Sequence, residues 1–83
     1  MAKVLLSAES ARELDDLPMV IHERVLTLLQ RLEDWPSVSG AKPLTGRLAG
    51  RYRLRTGDYR VQFRLERHTV IVEKIGHRDR FHD

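Results

Sequence analysis

Apolar residues recur at helical spacing in the first half of the chain and at alternating spacing in the second. Ile21, Val25, Leu28, Leu32 and Trp35 follow one another at intervals of four, three, four and three, which lines one stripe of a helix. Pro36 ends that helix. Upstream, residues 4–6 form a short apolar run that reads as a strand. Ser7 then stands where it caps a short helix whose inward positions are Ala8, Ala11 and Leu14. Asp15 and Asp16 are placed to cap the second helix, with Pro18 in its first turn. Residues 37–50 shift to Ser, Gly, Pro and Thr and read as an ordered loop with turn glycines at 46 and 50.

Three alternating segments follow, over residues 51–55, 59–65 and 70–75. The turns between them, Thr56-Gly57-Asp58 and Glu66-Arg67-His68, are short enough that consecutive strands pair antiparallel. The expected architecture is α+β in the order βααβββ, a small antiparallel sheet with a two-helix hairpin on one face. A chain of 83 residues has room for one core, so residues 1–83 are expected to form a single domain.

Charge changes the picture. Residues 1–41 carry four basic and seven acidic side chains, and residues 42–83 carry eleven basic and five acidic, a balance of −3 against +6. Positive charge gathered in the strand half points to a polyanionic partner, nucleic acid first among them, although a basic surface also serves solubility alone. Alternation sets Arg51, Arg53 and Arg55 on one face of their strand, with Tyr52 and Leu54 on the other. In the next strand Arg60, Gln62 and Arg64 oppose Tyr59, Val61, Phe63 and Leu65. Two adjoining guanidinium rows repel one another unless an anion lies on them. A lone outward arginine is more often solvated or paired, and Glu66 and Glu73 are the chief strand carboxylates able to pair here.

No cysteine is present, which excludes disulfides and thiolate chemistry and fits a reducing compartment. The apolar start is too short for a signal peptide and no apolar run is long enough to cross a bilayer, so a cytoplasmic location without membrane attachment is expected. His-x-Glu-x-His spacing, a glycine-rich phosphate loop and a paired-carboxylate site are all missing, so neither metal nor cofactor is expected. A metal-independent nuclease would use the RNA 2′-hydroxyl as its nucleophile, which favours RNA over DNA. The tail from Gly76 holds His77, Arg78, Arg80 and His82, and histidine moves protons near neutral pH. His22, on the polar side of the second helix, reads as a solvated residue.

The segments Lys42-Pro43-Leu44-Thr45-Gly46, Tyr52-Arg53-Leu54-Arg55, Gly57-Asp58-Tyr59-Arg60-Val61 and Ile75-Gly76-His77-Arg78 together resemble the RelE/ParE toxins. The resemblance implies a βααβββ fold, an acidic antitoxin bound in a hetero-oligomer and, in the RelE branch, cleavage of mRNA on the ribosome. It implies catalytic positions at Arg53, Arg55, Arg60 and Arg78. Arg51, Lys42, Arg47, Arg64 and Arg80 are expected to hold substrate around them. The well-studied RelE form has lysines at the first two catalytic positions, one proposed as general base; arginine, which keeps its proton at any physiological pH, does not readily take that role. A tyrosine common near the end of the family falls at His82, which makes His82 a candidate proton carrier. Two other functions fit the same pattern: a ParE-like toxin that inhibits DNA gyrase without catalysis, and a basic RNA-binding module that does not cleave.

Overall fold

In the computed structural model, which describes residues 1–81, a strand β1 (Lys3–Leu6) leads into helices α1 (Ala8–Asp15) and α2 (Met19–Arg31). A two-residue strand β2 (Lys42–Pro43) and three longer strands, β3 (Arg51–Thr56), β4 (Tyr59–Glu66) and β5 (Thr69–His77), complete the sheet. The strand order is β1-β5-β4-β3-β2. The α+β class and the helical hairpin are as expected. The sheet, however, is mixed: β1 runs parallel to β5, while the remaining pairs are antiparallel. The helices carry the chain from β1 to β2 at the far edge of the sheet, and three antiparallel steps, β2 to β3 to β4 to β5, bring the last strand back beside the first in the same direction. Lys42 and Pro43, read as loop, add the fifth strand by pairing with Arg53 and Tyr52. Proline donates no hydrogen bond, which suits an edge position.

The helix stripe is buried as the spacing predicts, with Val25, Leu28 and Leu32 packed against Leu54, Val61, Phe63, Val70, Val72 and Ile75 of the sheet. The α-helix itself ends at Arg31, and a 3-10 turn over Leu32–Asp34 carries the stripe on to Trp35. Pro18, rather than Asp15 or Asp16, is the N-cap of α2, and no side chain caps that end. Ser7 does cap α1, its hydroxyl accepting the Ser10 amide at 3.0 Å.

On α1 the buried residue is Ser10 and not Ala8, because this helix covers a strand edge rather than an apolar face. Beyond Leu6, β5 has no neighbouring strand on that side among the described residues. The Val72 carbonyl accepts from the Ser7 amide at 3.0 Å and the Ser10 hydroxyl at 2.8 Å, and Glu13 Oε1 accepts the Ile75 amide at 2.8 Å. Polar side chains thus satisfy backbone groups that a sixth strand would otherwise bind. Ser10→Ala removes one of two donors to the Val72 carbonyl, and is expected to lower unfolding stability in urea by about 1 kcal/mol.

Candidate nucleic-acid interface

The face of the sheet turned away from the helices is organised in cross-strand rows. Lys42, Arg53, Gln62 and Lys74 lie in register across β2, β3, β4 and β5. The row on one side is Arg55, Arg60 and Gly76; on the other, Arg51 lies opposite Arg64. Strict alternation would turn Lys74 inward. A bulge in β5, opposite the Gln62–Phe63 step, turns it out beside Glu73 and returns Ile75 to the core, where it is fully buried.

This face divides electrically. At one end Glu73 binds both members of the Arg51–Arg64 pair, with Oε1 2.7 Å from Arg51 Nε and Oε2 3.2 Å from Arg64 Nε. Arg64 also donates to Glu66. That hydrogen bond, with the charges of Glu66 and Glu73, raises the pKa of the Arg64 guanidinium above its ordinary value. At the other end Lys42, Arg53, Arg55 and Arg60, with Gly40 and Leu54, line a concavity of about 390 Å³. Among the described residues no acidic side chain is in this lining.

Arg53 is only 6% exposed. Its guanidinium carbon lies 5.1 Å from the centre of the Phe81 ring, and Lys74 Nζ lies 4.5 Å from the same centre. The ring therefore sits against two cations of the middle row, an arrangement its negative π-face favours. It reaches them because the chain reverses in a 3-10 turn, Arg78–Arg80, over Gly76. A side chain at Gly76 would meet Arg80 and Phe81 at 3.6–3.8 Å. The turn is anchored at three points. The Arg78 amide donates to the Asp58 carbonyl at 2.7 Å, Lys74 donates to the Arg80 carbonyl, and Arg80 stands 3.6 Å from Glu13.

The residues expected from sequence are thus sorted by geometry. Lys42, Arg53, Arg55 and Arg60 come together. Arg78 stands at the end of β5, two residues beyond Gly76, the partner of Arg60; its side chain is 59% exposed and 3.9 Å from Asp58. Arg51 and Arg64 are held by glutamates, Arg80 turns to α1, and Arg47 lies exposed in the 3-10 turn Gly46–Leu48, outside the concavity. His82 lies outside the described residues. His77 points to the opposite side, edge-on to Tyr59 at 5.4 Å, with Nδ1 accepting the Asp79 amide. Tyr52 packs inward against Trp35 and Phe63. Sequence reasoning missed Lys74 and Phe81. The bulge hid the first; the second carried only one signal, an aromatic residue placed just after a turn rich in arginine.

A small mixed sheet with two helices on one face and a cationic hollow on the other is an arrangement shared with toxins of toxin–antitoxin pairs. Residues 4–80 match the family model of the ParE toxin of type II toxin-antitoxin system, parDE, and the chain belongs to that family, within the RelE/ParE superfamily. Among solved structures, the toxin–antitoxin complex RelBE2 from Mycobacterium tuberculosis is similar at 28% identity and a TM-score of 0.80, over 92% of this chain and 90% of that one. The isolated Escherichia coli RelE toxin has the same fold at 15% identity and a TM-score of 0.77, covering 93% and 84%. The RelB–RelE complex of Methanococcus jannaschii gives 22% and 0.75, covering 90% and 91%. No curated protein matches the chain. No helix among the described residues is long and apolar enough to cross a membrane.

Proposed function

We propose that this type II toxin is an mRNA endonuclease that acts on the ribosome. One observation carries the reading: Lys42, Arg53, Arg55 and Arg60 converge on a single concavity, and among its described lining residues there is no carboxylate. Guanidinium groups bind phosphate oxygens through parallel hydrogen bonds and stay charged at any physiological pH. Here they hold the backbone on either side of the scissile phosphate, with Lys74 extending the row.

In the reaction the 2′-oxygen attacks the adjacent phosphorus as the bond to the 5′-oxygen breaks. The products are a 2′,3′-cyclic phosphate and a 5′-hydroxyl. Arg78 stabilises the charge that develops on the phosphoryl oxygens. The proton lost by the 2′-hydroxyl goes to a base and one is returned to the leaving 5′-oxygen; His82 is the candidate carrier, and the ribosome orients the RNA and assists. Among the described residues no three His, Asp or Glu side chains gather as a metal site requires. Cleavage is therefore expected to persist in chelator at levels that leave ribosomes intact.

The partner is an acidic antitoxin in a hetero-oligomer, in the cytoplasm, with residues 1–83 acting as one domain. Complementarity to the basic face supports this, as does the fact that the similar Mycobacterium tuberculosis and Methanococcus jannaschii structures are toxin–antitoxin complexes. Translation of a defined mRNA in vitro, read by primer extension, tests the activity. The expected result is new 5′ ends on ribosome-bound mRNA and weak or no cutting of naked RNA. Intact mRNA would sink the nuclease reading. The match to ParE favours a second reading, gyrase inhibition without catalysis. Unaffected mRNA together with blocked DNA supercoiling would establish it, whereas RNA bound but left whole would mark a non-catalytic binding module.

A further inference from the structure

We propose that Glu73 is a specificity determinant of the basic face: by holding Arg51 and Arg64 it confines an RNA backbone to the end of the sheet formed by Lys42, Arg53, Arg55 and Arg60. The proposal rests on the reading of that end as an RNA site. Alternate residues on one face of a strand are about 6.7 Å apart, so the row of Arg55 and Arg60 and the row of Arg51 and Arg64 are separated by about 13 Å. With all these arginines available, a single strand could run along the whole face. Instead, both carboxylate oxygens of Glu73 are committed, one to each Nε of the distal pair. The Glu73 side chain is 24% exposed, and so is only partly screened by water. Glu66 adds a second negative charge on Arg64. Two arginines and two glutamates leave that end without net charge.

The separation has a functional consequence. Affinity for nucleic acid without regard to sequence comes from the number of phosphates neutralised. A toxin with a longer cationic track would be drawn to any RNA, in competition with the one strand it meets on its target. Neutralising the distal row lowers that general affinity and leaves the cluster at the concavity intact. The two arginines still contribute to the sheet, because Glu73 relieves the like-charge contact between directly opposed Arg51 and Arg64.

The test is the salt dependence of binding to a labelled single-stranded oligouridine of about a dozen nucleotides, by fluorescence anisotropy. Glu73→Gln should tighten binding about fivefold at moderate salt, the gain from one further phosphate contact. It should also steepen the slope of log K against log salt by about 0.7, one further phosphate at Arg51, since Glu66 still holds Arg64. The triple variant Glu73→Gln, Arg51→Gln, Arg64→Gln should return the slope to that of the parent, which a purely structural role of Glu73 would not do. Should Glu73→Gln alone fail to fold, the triple variant, which leaves only the exposed Glu66 carboxylate at that end, decides by comparison with the parent. An equal slope supports the confinement, and a slope shallower by one or more overturns it, since Arg51 and Arg64 would then already contact RNA in the parent. Binding by parent and Glu73→Gln with equal slopes overturns the role of Glu73 alone. No binding by either, with mRNA intact on ribosomes, overturns the RNA reading as well.

Discussion

Arg78→Ala is expected to lower mRNA cleavage on the ribosome by about a hundredfold or more, the loss seen when one donor to developing transition-state charge is removed. Its backbone is fixed by the hydrogen bond to the Asp58 carbonyl, while its side chain is largely exposed and only 3.9 Å from Asp58, a contact too long to bind the guanidinium firmly. The group is therefore positioned at its root and free to turn toward a phosphate at its tip. Being exposed, it contributes little to stability, and the variant should unfold within about 0.5 kcal/mol of the parent. Binding to ribosomes should change several-fold at most. Arg60→Ala differs: Arg60 lines the concavity itself, so affinity and turnover should fall together and the salt dependence should flatten. An equal loss of binding and cleavage in Arg78→Ala would recast Arg78 as an anchor.

The contrast between these arginines shows what a sequence conveys about such a face. Alternation places Arg51, Arg53, Arg55, Arg60 and Arg64 on one surface, and the structure keeps them there. It carries no information on which are neutralised. That depends on Glu73, eighteen residues beyond Arg55 in the chain, and on the register that sets it between Arg51 and Arg64. Glu66 and Glu73 were identifiable as the strand carboxylates, but not that Glu73 takes Arg51 and Arg64 together. Lys74 was hidden because one inserted residue shifts the side-chain alternation of a strand, and no local signal in Glu73-Lys74-Ile75 marks the insertion.

The helical half was legible for a different reason. Its long stripe packs on an apolar sheet, so hydrophobic spacing and burial report the same thing in α2. In α1 they part, since the helix covers a strand edge whose exposed amides and carbonyls call for Ser7, Ser10 and Glu13. The parallel place of β1 beside β5 joins the first strand to the last, a pairing that no local pattern announces, and β2 is so short that its Lys42-Pro43 sequence resembles the loop around it.

Phe63→Ala is the substitution expected to damage the fold most. Phe63 is fully buried on β4, next to the step where the bulge interrupts pairing with β5. Its ring lies edge-on to Trp35 with centroids 5.2 Å apart and is stacked with Tyr52 at 5.7 Å, while Trp35 meets Tyr52 edge-on at 4.8 Å. This cluster joins the turn after α2 to the central strands. Removing a buried phenylalanine costs about 3–5 kcal/mol, for lost transfer energy and the cavity left behind. A small domain has only ~5–15 kcal/mol in total, and 83 residues place this chain toward the lower end. Trp35 is the sole tryptophan and so reports directly on the cluster. Urea unfolding followed by its fluorescence should show a midpoint shifted down by more than half, or a variant unfolded without denaturant. The arginine rows depend on the same strand register, so RNA binding should be lost in step with folding and restored where an added ligand refolds the chain. A shift of less than about 1 kcal/mol would mean that Trp35 and Tyr52 close the space, and that the aromatic cluster is not what fixes the register of β3 and β4.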